Sequence, residues 1–355
     1  MSFRFSHVFL LLVTVCCVDP YNTETKKESD RYVVEGTISN QRPPYSIKIT
    51  KSANYSRDLA GITTYVSGAS VQVCDDEGSC MQFFETEPGR YQTDTNVPPG
   101  ALGKSYHVEI TTADGNHLFS YPETMTASPA ISSVYAEFET ETLNDDGFHV
   151  YLDVDDPVDE ENYYKWETIG YYPYSGYCFT IEGERSILAI ETDKAINGNK
   201  LSRNHIKNIP FNNTSYYVLE VYQLALSAGA FSYLDDIRKQ VESTGSIFDP
   251  PPSFLRGNLY NPDNKDDVVL GYFIVAGAAR KDFVLDRSST GQFPRTYIGT
   301  VEDPLYCGDP CNIPCSTFGG GMCGTRPCPP DCASLPGKTN IAPESWPFPH
   351  RPCGD

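Results

Sequence analysis

With 355 residues, the chain is long enough for two domains that each bury a core. Its 47 acidic side chains outnumber the 27 basic ones and give a formal charge of −20. A field of that sign repels phosphate backbones and excludes nucleic acid as an expected partner. No stretch after the N-terminus has about eighteen apolar residues in a row, so no transmembrane helix is expected.

Residues 1–16 have the composition of a signal peptide. Arg4 precedes an apolar run at 8–15, which is far shorter than the roughly 20 residues needed to span a bilayer. Cys16 and Cys17 end the run, and polar chain follows, as in a bacterial lipoprotein signal. A secretory signal with an incidental cysteine is the alternative. We predict cleavage before Cys17, because this leaves a small side chain beside the cut, and attachment of several acyl chains to Cys17.

Short alternating segments dominate residues 31–128, after a polar stretch at 17–30 that we predict to be a flexible tether. Alternating apolar and polar side chains with turn signals at about 8–12-residue spacing predict an antiparallel β-sandwich. The series is similar to the small Ig/transthyretin-like sandwiches related to carboxypeptidase regulatory domains. Cys74 and Cys80 flank a turn, which predicts a disulfide across a hairpin. The predicted strands are 32–38, 45–50, 68–74, 89–93, 105–110 and 117–121.

A second β-rich domain, expected to be another Ig/transthyretin-like β-sandwich, is predicted for residues 129–303. It has a helix at 228–242 that begins after Ser227 and ends before Gly245. The continuously apolar segment 268–275 predicts a strand buried on both faces. One stripe of the helix should pack on a sheet, and it contains Phe231, Leu234, Ile237 and Val241. The other predicted strands are 133–138, 148–154, 163–167 and 215–222.

The C-terminal tail, residues 304–355, is rich in Gly, Pro and Cys and too poor in apolar residues to fold without cross-links. It lacks the C-x2-C pairs of structural zinc sites, so disulfides are favoured over zinc in an exported chain. The seven tail cysteines leave Cys178 as the natural eighth if all are paired, but the connectivity stays open. Beyond the Cys74–Cys80 pair, the disulfide candidates are Cys178, Cys307, Cys311, Cys315, Cys323, Cys328, Cys332 and Cys353.

No metal, cofactor or catalytic residue is predicted. The six histidines show no HExxH or H-x-H spacing, and no G-x-S-x-G elbow is present. An acidic run could bind Ca²⁺ through hard oxygen ligands, but it lacks the EF-hand spacing and Pro157 interrupts it. A solvated acidic loop is therefore favoured. The run contains Asp153, Asp155, Asp156, Asp159, Glu160 and Glu161.

Aromatic residues cluster at 163–166 and 171–177. Alternating core positions, with half of the rings buried, are the ordinary interpretation. A stacking surface for a sugar or a peptide is the alternative, because rigid rings offer contact area at low entropic cost. The candidate ligand-contact residues are Tyr163, Trp166, Tyr171, Tyr172 and Tyr174.

Several segments occur in an informative order: CVDPY from Cys17, YVVEGTISN from Tyr32, GASVQV, YYKWE, GSIFDPPP with RGNLY, VLGYFIVAG, and CPPDCASLPGKTNIAPESWP from Cys328. Together they resemble the DUF4249 family of Bacteroidota lipoproteins over essentially the whole mature chain. The tail has more cysteines than that pattern leads us to expect. The family has no known function, and no catalytic residue carries over. Its association with the outer membrane and TonB-dependent transporters implies the handling of an imported or exported ligand.

The expected function is that of a non-enzymatic outer-membrane lipoprotein, anchored in the bilayer by lipid, that binds a ligand or assists a TonB-dependent barrel. Whether it faces outward or the periplasm stays open, because Asp19 is nearly alone and Lys26 and Lys27 lie nearby. A surface hydrolase built from distant carboxylates or histidines is one alternative. A structural or adhesive protein with Tyr-rich sheet faces is another, and a flat face without a pocket would favour it.

Overall fold

A computed structural model describes residues 30–52, 64–140, 146–155, 157, 161–175, 178–184, 189–192, 200–242, 255–294, 336–339 and 341–347. The predicted mainly β fold is confirmed, and the one α-helix among these residues is α1 (Ala228–Glu242). A 3-10 turn spans Arg287–Thr290. The strands are β1 (Tyr32–Ser39), β2 (Ser46–Lys51), β3 (Thr64–Tyr65), β4 (Ser70–Asp75), β5 (Cys80–Glu87), β6 (Arg90–Gln92), β7 (Ser105–Thr111), β8 (His117–Ser120), β9 (Glu123–Thr124), β10 (Ile131–Glu139), β11 (Gly147–Asp155), β12 (Tyr163–Ser175), β13 (Cys178–Glu184), β14 (Ile190–Thr192), β15 (Lys200–Pro210), β16 (Tyr216–Ala225), β17 (Leu259–Tyr260), β18 (Leu270–Asp286) and β19 (Lys338–Thr339).

The N-terminal strands share one hydrophobic core. Strand β4 pairs with β5 and β7, and β2 pairs with β1 and β6, all antiparallel. Strand β5 pairs with β4 along its first half and with β6 along its second half, and it thereby joins the two sets of strands. Alternate side chains such as Ile47, Tyr91 and Val108 are fully buried in this core, as the period-two pattern predicts.

Strand β18 connects the N-terminal strands to the rest of the molecule. Its residues 270–276 pair in parallel with β1, and its residues 277–286 pair antiparallel with β16. Residues 270–277 are all buried, which confirms the strand predicted to be covered on both faces. Because Phe273 and Val275 also enter the N-terminal core, this strand contributes to both halves of the structure. The division into two sandwich domains stays a prediction.

The second half packs two sheets and a helix around β12, β16 and β18. The three-stranded sheet β10-β11-β15 covers one face and encloses a core that includes Trp166 and Tyr217. Helix α1 covers the other face through Phe231, Leu234 and Ile237. Its predicted bounds are confirmed, but Val241 is 65% exposed, because the last turn extends past the sheet contacts. No helix in the described ranges is long and apolar enough to cross a membrane.

Candidate ligand-binding cleft

A cleft of about 600 Å³ lies between two strand groups, the N-terminal strands and the strands of the second half. Strands β1, β2 and β6 and the loop at 40–45 line one side, and strands β12, β13 and β16 line the other. Ligand pockets in proteins are typically about 300–1,000 Å³, so the cleft has the volume for a small molecule.

Tyr45 fixes the loop on one side of the cleft. Its hydroxyl lies 2.6 Å from the carbonyl oxygens of both Ser39 and Gln41, and it accepts a hydrogen bond from the Gly100 N–H at 3.2 Å. Burial raises the pKa of the Tyr45 phenol, so the group stays neutral and can donate. These contacts hold Gln41 and Arg42 at the edge of the cleft.

A buried ion pair forms part of the opposite wall. Lys165 Nζ lies 2.7 Å from Glu167 Oε1, and the two side chains are only 8% and 18% exposed. Residues i and i+2 of a strand share a face, which places both groups side by side on β12. A charge this far out of water is tolerated only when it is paired, so the lysine and the glutamate stabilise one another.

Two further ion pairs surround the cleft at more exposed positions. Lys48 and Glu35 lie directly opposite each other in the β1–β2 register, with 3.4 Å between Nζ and Oε2. Arg90 lines the cleft and pairs with Glu87 at 3.5 Å. Such exposed pairs contribute at most about 1 kcal/mol each, and they give both Lys48 and Arg90 a carboxylate partner.

Three polar groups of the cleft have no partner among the described residues. The Thr168 hydroxyl and the Gln41 amide nitrogen are shielded from solvent without a hydrogen bond, and Thr168 is 4% exposed. Arg42 is exposed and makes no ion pair with a described residue. The two shielded atoms are out of reach of a ligand in the cleft, and Thr168 lies on the same face of β12 as Trp166, so Arg42 is the group of the three that a ligand can contact.

The candidate aromatic residues do not share one surface. Tyr163 packs on Phe231 of helix α1 at 4.9 Å between ring centroids, whereas Trp166 is 3% exposed inside the other core. Tyr171 is half-buried, and Tyr172 stacks on Tyr217 at 5.8 Å. Strand alternation explains the separation, since odd and even residues of β12 face opposite sides. The side chain of Tyr174 lies outside the described set, and a ligand role for these rings stays a prediction.

The predicted hairpin disulfide is confirmed: Cys74 and Cys80 are bonded across the β4–β5 turn. Cys17 and the tail cysteines lie outside the described residues, as does the Cys178 side chain. Residues Lys338–Thr339 of the tail pair with β13 at Phe179 and Thr180, next to Cys178. Noncovalent contacts therefore fasten part of the tail to the second half of the molecule.

Potential metal ligands converge in one place in the described residues, at Cys74, His107 and Glu109. The Cys74 sulfur is committed to a disulfide and offers no thiolate, and His107 Nε2 lies 3.0 Å from Glu109 Oε1.

Of the acidic run considered for Ca²⁺, Asp153 pairs with Lys200 at 2.9 Å and Asp155 accepts from Ser132 at 2.8 Å. Glu161 belongs to the described residues, whereas Asp156, Asp159 and Glu160 lie outside them.

The cleft residues Gln41, Arg42, Lys165 and Thr168 were not predicted from the sequence. One signal was available, since Lys165 stands within the run Tyr163 to Glu167 of a strand that should be buried. A charged residue in such a strand requires a partner or a polar cavity. The contribution of β1 to the same cleft depends on long-range packing and leaves no local signal.

Comparison with known proteins places residues 18–282 within a family model described as "Domain of unknown function (DUF4249)". No curated protein matches the chain. A crystal structure of a DUF4785 family protein from Legionella pneumophila is 10% identical and covers 56% of this chain, with a TM-score of 0.18. The chain spans about half of that structure, 53% of its length.

Proposed function

Since the chain belongs to the DUF4249 family, which has no known function, we propose that it is a non-enzymatic lipoprotein that binds a small ligand in the cleft between its strand groups. Cys17 would anchor it to the outer membrane, where it would act beside a TonB-dependent transporter. The observation that carries the proposal is the cleft of about 600 Å³, in whose lining the exposed Arg42 makes no ion pair with a described residue. A cleft of this volume can enclose a small molecule, and an unpaired guanidinium in its lining can bind that molecule through charge-assisted hydrogen bonds.

Blocking the cleft tests the binding function. A Cβ at Gly183, which lines the cleft, meets no atom within 4 Å, so Gly183→Trp can fill the space without disturbing the core. Small molecules extracted from purified wild-type protein should be absent from this variant in mass spectra. Phe84→Trp adds a tryptophan at a position that is already 63% exposed outside the cleft, and this control should retain them. Equal recovery from all three proteins would refute the cleft as the binding site.

Anchoring and partnership are tested on the full chain in its native cells. Cys17→Ser should move the protein from the membrane fraction to the soluble fraction, because the acyl chains supply the attachment. Affinity purification of the tagged wild type from solubilised outer membranes should recover a TonB-dependent barrel in stoichiometric amount. Recovery of the lipoprotein alone would contradict the accessory role and leave the ligand proposal to the experiment on Gly183.

A further inference from the structure

We infer that the cleft ligand is a small organic acid whose single carboxylate is bound by Arg42, an assignment that rests on the proposed binding function. The first argument is charge. Four basic residues line the cleft (Arg42, Lys48, Arg90 and Lys165) against two acidic ones, Glu35 and Glu167, although the chain as a whole carries −20. The local sign is thus opposite to that of the molecule, which favours an anion at this place.

Pairing within the cleft identifies the cation that remains for a ligand. Lys165 is held by Glu167 at 2.7 Å, Lys48 by Glu35 at 3.4 Å, and Arg90 by Glu87 at 3.5 Å. Arg42 is the remaining basic side chain of the lining, and it makes no ion pair with a described residue. One unpaired guanidinium matches one carboxylate, and its planar fork binds that group through two parallel hydrogen bonds.

The test uses matched probes on the purified mature chain. Hexanoate, hexanamide and hexylamine differ in head group alone, and benzoate, benzamide and benzylamine form a second set with a ring. Binding is measured by saturation-transfer NMR and calorimetry for wild type, Arg42→Gln and Arg256→Gln. Arg256 is an exposed arginine that lines a separate groove, so its variant removes the same charge away from the cleft.

The acids should bind more tightly than their amides and amines. Arg42→Gln should weaken binding of the acids about tenfold or more, since hydrogen bonds to charged groups are the strong ones, and Arg256→Gln should leave it unchanged. Tighter binding of an amide or an amine, lost in Gly183→Trp, would overturn the assignment of an acid while retaining the binding function. Phenyl phosphate binding tighter than benzoate would overturn the carboxylate. If no probe shows binding that Gly183→Trp abolishes, both proposals are overturned.

Discussion

The indole N–H of Trp166 donates a hydrogen bond to the side-chain oxygen of Gln223 at 3.0 Å in the interior of the second half. The amide nitrogen of Gln223 in turn donates to the Pro129 carbonyl at 2.8 Å and to the Ser128 hydroxyl at 3.1 Å. Gln223 is fully buried, and its one side chain bonds both the Trp166 indole of β12 and the segment that leads into β10. This contact fastens the connection between the two halves to the sheet beneath it.

Replacing that glutamine should be costly. Gln223→Leu keeps the volume but leaves the Trp166 N–H and the Pro129 carbonyl without partners, and we expect a loss of about 2–4 kcal/mol in the free energy of unfolding. Urea unfolding followed by tryptophan fluorescence measures the change. Gln292→Leu, at an exposed position, is the control and should change stability little. A loss below about 0.5 kcal/mol for Gln223→Leu would contradict the role of the network.

Glu123 should make stability depend on pH. Its carboxylate accepts hydrogen bonds from Tyr272 and Ser227, but burial raises its pKa above the usual range for glutamate, because the charged form is poorly solvated. A group whose pKa is raised in the folded state stabilises the protein at pH values below its unfolded-state pKa. This contribution is lost as the pH rises through its folded-state pKa. Glu123→Gln should therefore melt above wild type at pH 8, and the difference should vanish near pH 4.

Glu85 provides a control of opposite sign. The Gly68 N–H donates to its carboxylate at 2.8 Å and lowers its pKa, so the charged form stabilises the fold above the unfolded-state pKa and this contribution is lost as pH falls. Glu85→Gln should melt below wild type at pH 8 and match it at low pH. Thermal melts of both variants between pH 4 and pH 8 should diverge in opposite directions. Parallel curves for the two variants would contradict the opposite pKa shifts of Glu123 and Glu85.

Gly170 is predicted to tolerate no side chain. A Cβ at this position would lie 1.8 Å from the Tyr217 hydroxyl, which donates to Glu182 at 3.1 Å, and Tyr217 is 1% exposed and cannot move aside. Gly170→Ala should cost about 1–3 kcal/mol or more, the range for overpacked cores. Gly183→Ala is the matched control, because its Cβ meets no atom within 4 Å. Equal chemical-unfolding midpoints for the two variants would contradict the packing argument.

Local signals in the sequence predicted much of this fold. The helix bounds follow from Ser227, whose hydroxyl accepts from the Ala230 N–H at 3.1 Å, and the Cys74–Cys80 disulfide follows from the turn between its cysteines. Strand β15 was missed because its side chains are mostly polar and its pairing with β11 shifts register around Arg203, which has a φ of 57°. Such irregularities break the alternation on which strand prediction depends.

The cleft could not be predicted, because its walls come from segments far apart in the chain. Strand β1 pairs with β18 across more than 200 residues, as in Val33 opposite Leu270, and no local pattern encodes that parallel partner. Lys165 and Glu167 lie in an aromatic strand whose alternation is typical of a core strand. Their position beside Gln41 depends on the packing of the two strand groups, which the sequence specifies only through the whole fold.

The unpartnered hydroxyl of Thr168 should lower the stability of the fold. If its buried hydroxyl has no partner in the free protein, Thr168→Val removes an unsatisfied polar group at nearly constant shape, and stability should rise by about 1 kcal/mol. Thr180→Val, on neighbouring β13, is the control: Lys338 Nζ donates to its hydroxyl at 2.8 Å, so this variant should lose about 1 kcal/mol. Differential scanning calorimetry distinguishes the two signs. A loss of stability in Thr168→Val would mean that the hydroxyl is already satisfied within the protein.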